Sequence, residues 1–158
     1  MGLAGQGLVG DRRGIGQEGR PLSFDLQRFD HAQQGVYERT LAELRDGHKR
    51  SHWIWFIFPQ VAGLGHSAMA QRYAVTSLDE ARAYLAHDVL GPRLRECTQA
   101  VLDAEGHSAH AIFGAPDDLK FRSSMTLFDL AEPDGIFHAA LEKYFDGKSD
   151  PLTLEKIR

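Results

Sequence analysis

His52-Trp53-Ile54-Trp55-Phe56-Ile57-Phe58-Pro59-Gln60 brings both tryptophans of the chain into one unbroken apolar run, Trp53 to Phe58, closed by a proline. Surface that apolar has to be desolvated against most of the other apolar faces, so the stretch predicts the centre of the core. Periodicity does not separate a strand from a buried helical segment when every position is apolar. The neighbours decide. No other segment shows the strict alternation of a partner strand, and a lone strand would leave its backbone groups unpaired. The stretch is therefore expected to be helical or irregular inside an all-α domain, stopped at Pro59 and followed by a turn at Val61-Ala62-Gly63-Leu64-Gly65.

On the N-terminal side, Leu26, Phe29, Ala32, Val36, Tyr37, Leu41 and Leu44 recur at spacings of three and four, an apolar stripe on a helix that Gly35 can divide and Gly47 can end in a left-handed cap. On the C-terminal side the punctuation is clearer. Ser77-Leu78-Asp79-Glu80 spells a capping box, with Ser77 accepting from the backbone three residues on and Glu80 reaching back to the cap. Gly91-Pro92 restarts the chain, and Leu90, Leu94, Cys97, Val101 and Leu102 continue as a stripe to Gly106. Ser108 caps a short helix carrying Ile112 and Phe113. Pro116-Asp117-Asp118 opens a helix with Phe121, Met125 and Phe128 on one face. Asp134 is positioned to cap the next, Ile136 to Phe145, and a final turn begins at Asp150-Pro151. Six or seven short helices are predicted, with no repeat of fixed period.

A chain of 158 residues fits one domain. Residues 1–22 hold seven glycines and no periodic apolar pattern, so they are expected to form a flexible tail, leaving 23–158 as a single helical domain. At 42% hydrophobic and 25% charged residues the composition is that of an ordinary soluble protein. A net charge of -4 supplies no general attraction for nucleic acid, and the basic run His48-Lys49-Arg50 is short for a counterion-driven binder. The longest apolar run is far below a membrane span. With Cys97 as the only cysteine and no apolar leader, the expected location is cytoplasmic, with no nucleic-acid or membrane partner and no identified protein partner.

Several motifs fail on context. Gly5-Gln6-Gly7-Leu8-Val9-Gly10 matches the dinucleotide glycine pattern without a preceding strand, and Gly147-Lys148-Ser149 ends like a phosphate loop but lacks the earlier glycine and follows a helix. His48 with His52 and His107 with His110 lack further ligands, so neither a metal nor a cofactor is expected. Cys97 falls in an apolar stripe and reads as core.

Two features carry candidate chemistry. The aromatic stretch has polar ends, His52 and Gln60, and Pro116 to Phe128 sets Lys120, Ser123, Ser124 and Thr126 among apolar residues. Those hydroxyls either bond to their own helix and tie helices together, or line a polar pocket. His52 is either an acid, base or ligand contact, or a helix cap; Gln60 either reads a ligand edge or holds the turn. The pocket alternative names His52, Trp53, Trp55, Gln60, Lys120, Ser123 and Ser124 as ligand-binding, walled by Trp53, Trp55 and Phe56. The corresponding function is a small-molecule-binding domain, with a hydrolase or transferase acting on a nucleotide-like or phosphate-bearing ligand as its enzymatic form. The alternative is a non-enzymatic protein-interaction module.

Ser51 to Gln60, Gly63-Leu64-Gly65, Ile112-Phe113-Gly114, Asp117 to Lys120 and Ser123 to Phe128 together resemble the bacterial domain of unknown function numbered 1810, whose members sometimes carry the label calpastatin. The resemblance runs from about Phe24 to the C-terminus. It implies an all-helical fold of two crossed helical bundles, and it implies no activity or catalytic residue.

Overall fold

The computed structural model describes residues 24–157. Ten helices are found among them: α1 Gln27–Gln33, α2 Tyr37–Arg45, α3 Ile54–Ile57, α4 Ala68–Arg72, α5 Leu78–Ala86, α6 Leu90–Asp103, α7 Ala109–Phe113, α8 Asp117–Ala131, α9 Ile136–Phe145 and α10 Pro151–Lys156. The fold is all-α. No strand forms among the described residues, and Val61 and Val75 make one isolated parallel bridge. The count exceeds six or seven because several helices are single turns. α4 left no trace in the apolar pattern, since none of its five residues is buried.

α6 and α8 form the two long struts, and α5 and α9 each pack against both. α8 also meets α3, α7 and α10, which sets its middle deep inside: Phe121, Met125, Leu127 and Phe128 are fully buried. α5 and α6 come together without a spacer at Gly91. A Cβ there would stand 2.2 Å from the Leu85 carbonyl oxygen, so only glycine admits the approach.

The caps follow the sequence in most places. Ser77 accepts from the Glu80 amide and Ser108 from the Ala111 amide, and Gly47 closes α2 with φ +71°. Two differ. Glu80 passes over the cap and accepts from the Thr76 amide and hydroxyl at 2.9 and 3.0 Å, while its other oxygen takes Arg28 at 3.2 Å. Asp134 does not cap α9; it turns the chain at φ +63° and Gly135 occupies the cap without a side-chain bond.

The aromatic stretch is a single helical turn at the centre, as its composition requires. Trp53 and Phe58 pack with Phe113 of α7 and Phe121 of α8, the Phe58 and Phe121 rings meeting edge to face at 4.9 Å between centroids. Phe56 turns the other way, onto Tyr73. Buried Gln33 holds the turn from α1 by donating its amide to the Phe56 carbonyl at 2.8 Å and to the Tyr84 hydroxyl at 3.1 Å.

Candidate functional site

A turn of four residues cannot hide every side chain, and this one buries Ile54, Phe56 and Ile57 while Trp55 stays half-buried. Trp55 forms part of the wall of a cleft of about 420 Å³. α8 and the Pro116 before it contribute Pro116, Leu119, Lys120, Arg122 and Ser123; the chain after the turn contributes Gln60, Leu64, His66 and Ser67; and α10 with its cap contributes Asp150 and Leu152. Leu119 and Leu152 are 58% and 56% exposed, and together they make an apolar rim.

Of the seven residues expected to bind a ligand, Trp55, Gln60, Lys120 and Ser123 line this cleft. The other three do not. Trp53 is 1% exposed and donates its indole N–H to Glu43 at 2.9 Å, so it belongs to the core. His52 is exposed just before the turn, away from the lining, and Phe56 is likewise buried. Ser124 is wholly buried on the inner side of α8, and its hydroxyl has no hydrogen-bond partner among the described residues.

The polar groups of the cleft divide into committed and uncommitted ones. Ser123 donates its hydroxyl towards the Leu119 carbonyl at 3.1 Å and Asp150 Oδ2 at 3.0 Å. The same Asp150 oxygen accepts from the Thr153 amide and hydroxyl at 3.2 and 2.6 Å, capping α10 and tying it to α8. Thr126 receives the Asp150 amide at 2.9 Å, so the local, structural use of helix hydroxyls holds for Ser123 and Thr126. By contrast, the Gln60 amide and the His66 imidazole make no hydrogen bond among the described residues, and both face the cleft. Lys120 extends its ammonium over the Trp55 ring, 5.0 Å from the centroid, and lies 3.4 Å from Asp117.

Behind the turn, polar groups are fully used. Glu43 accepts from the Arg50 and Ser51 amides, the Ser51 hydroxyl and the Trp53 indole at 2.7 to 3.1 Å. Burial alone would raise its pKa, but the four donors outweigh it and hold the carboxyl down to about 2. Lys49, from the basic run, is buried here: its ammonium pairs with Asp117 at 2.9 Å and sits 5.0 Å from the Trp53 ring centroid. Cys97 is 1% exposed, and burial pushes its thiol up to about 12, which suits a core residue and not a nucleophile.

Sequence reasoning missed His66, Ser67, Arg122, Leu119, Asp150 and Leu152 as cleft residues. Leu119 carried a usable signal, since it is a large apolar residue off the Phe121, Met125 and Phe128 stripe of its helix. No group of three or more His, Cys, Asp or Glu side chains able to hold a metal ion comes together among the described residues. No helix among them is long and apolar enough to cross a membrane.

No curated protein matches the chain. Among solved structures, the crystal structure of the conserved hypothetical protein Rv1873 from Mycobacterium tuberculosis is similar, with 53% sequence identity, a TM-score of 0.83, and coverage of 85% of this chain and 96% of that one. The model of the family described as "Protein of unknown function (DUF1810)" matches residues 23–157, and the chain therefore belongs to that family.

Proposed function

We propose that the Trp55 cleft binds a small molecule, nucleotide-like or phosphate-bearing, and that the protein acts through this binding. The observation that carries the proposal is the convergence of the aromatic turn and α8 on one recess of about 420 Å³, in which the Gln60 amide and His66 imidazole make no hydrogen bond among the described residues and Lys120 shares Asp117 with Lys49. That volume suits a ligand of metabolite size, and a mostly apolar wall with a few converging polar groups is the usual composition of such sites. Binding is better supported than turnover. Ser123 has its proton engaged between the Leu119 carbonyl and Asp150 Oδ2, and that same oxygen caps α10, so the pair is used to tie α10 to α8.

A thermal-shift screen with nucleosides, nucleotides and sugar phosphates tests the proposal. Saturable stabilisation is expected for the protein as it stands, and its loss in Trp55→Ala and Gln60→Ala variants that remain folded. Retention of the full shift in both variants would remove the cleft from consideration.

The alternative, a protein-interaction module, is favoured by a separate observation: Leu119, Leu152 and Leu154 are exposed at 58%, 56% and 41%. A partner docking there would be weakened by Leu154→Asp, a position outside the cleft lining, while ligand-induced stabilisation through Gln60 would survive.

A further inference from the structure

Two cations of α8, Lys120 and Arg122, line the cleft, and neither has a carboxylate to itself. Asp117 is divided between two ammonium groups, with Lys49 at 2.9 Å and Lys120 at 3.4 Å, so the trio retains one positive charge. Arg122 donates Nε and Nη2 to the carbonyls of Lys148 and Ser149, both at 2.9 Å. Carbonyl oxygens satisfy hydrogen bonds without cancelling the charge, and Nη1 of that planar fork is left for another acceptor. Asp150 lines the same cleft but forms no ion pair with Arg122 among the described residues, its Oδ2 being held by Ser123 and Thr153. Counting Asp117 and Asp150 against Lys49, Lys120 and Arg122, the cleft and its backing carry one net positive charge within a chain of net charge -4. Beside the cations, Leu119 and Leu152 offer apolar surface to the remainder of a ligand.

We propose that the cleft selects a ligand carrying a diphosphate, with one phosphate on Lys120 and the adjoining one on Arg122; this rests on the small-molecule reading above. A phosphate monoester, with up to about two negative charges, brings one group to the cleft, whereas linked phosphates bring a separate group to each cation. Arginine supplies the paired, planar donors that phosphate oxygens favour, and lysine a point charge.

The test is calorimetric titration of the full chain, at fixed ionic strength, with adenosine, AMP, ADP and inorganic pyrophosphate. ADP is expected to bind at least about tenfold more tightly than AMP, the worth of one additional charge-assisted contact. Lys120→Gln and Arg122→Gln should each erase that preference. Because Arg122 also clamps the chain at Lys148 and Ser149, Arg122→Lys serves if the glutamine variant does not fold; it keeps the charge, loses the fork, and should reduce the preference. Pyrophosphate binding as well as ADP would support a diphosphate in which the organic part contributes little, and ADP binding better would support a nucleoside diphosphate. Equal affinities for AMP and ADP, or an ADP preference untouched by both substitutions, would overturn the diphosphate while leaving the cleft reading intact provided Trp55→Leu weakens binding. Failure of all four probes to bind would overturn the diphosphate and remove the support for a nucleotide-like ligand as well.

Discussion

Trp53 and Trp55 are two residues apart on one helical turn, and each has a lysine ammonium 5.0 Å from its ring centroid. The two lysines even share one carboxylate, Asp117. Beyond that the surroundings diverge. Around Trp53, the indole, Ser51, the Arg50 amide and Glu43 close on one another, leaving Trp53 1% exposed. Around Trp55, the turn faces a cleft in which Gln60 and His66 make no hydrogen bond among the described residues. The same pairing of indole and ammonium is thus a structural joint when every polar neighbour is satisfied, and a candidate recognition element when some are not.

That contrast can be broken by truncating each indole in turn. Trp53→Ala removes a fully buried ring from the aromatic cluster and takes one of its four donors from Glu43, so a loss of about 3–5 kcal/mol in unfolding free energy is expected. Trp55→Ala should cost about 1 kcal/mol or less, as for a residue only partly withdrawn from water. Urea denaturation of the two variants measures both, and comparable losses would erase the distinction.

Glu43 sharpens the same contrast by pH. Glu43→Gln replaces a carboxylate that accepts four hydrogen bonds by a group whose N–H would face the donors, and about 2–3 kcal/mol is expected to be lost at neutral pH. The carboxyl is held at about 2 in the folded chain against 4.5 in the absence of these contacts. A depressed folded value contributes stability that is complete above 4.5 and disappears as the pH falls towards 2. The stability gap between the parent and Glu43→Gln should therefore narrow across that window. A gap independent of pH would mean that the carboxylate's charge does not hold the loop.

Much of the fold was legible because its signals are local. Ser77, Ser108, Gly47 and Asp150 end or begin helices through bonds to residues within four positions, which a sequence exposes directly. Buried polar hubs are harder to read. Gln33 and Glu43 are polar residues whose partners, Phe56 and Trp53, lie 23 and 10 positions away, so nothing nearby separates them from surface residues. In the aromatic run every position is apolar, and composition could not tell which indole faces in. Trp55, Gln60, Lys120 and Ser123 of the cleft followed from pairing that run with α8. His66, Asp150 and Leu152 did not, because they reach the recess only through the bridge at Val61 and Val75 and the docking of α10 on α8.

Tryptophan fluorescence of two single-indole variants, Trp53→Phe and Trp55→Phe, titrated with ADP, addresses the difference between the two indoles most directly. A saturable change is expected in the variant that keeps Trp55 and no change in the one that keeps Trp53. An equal response from both, or a response from Trp53 alone, would contradict the assignment of one indole to the core and the other to a ligand.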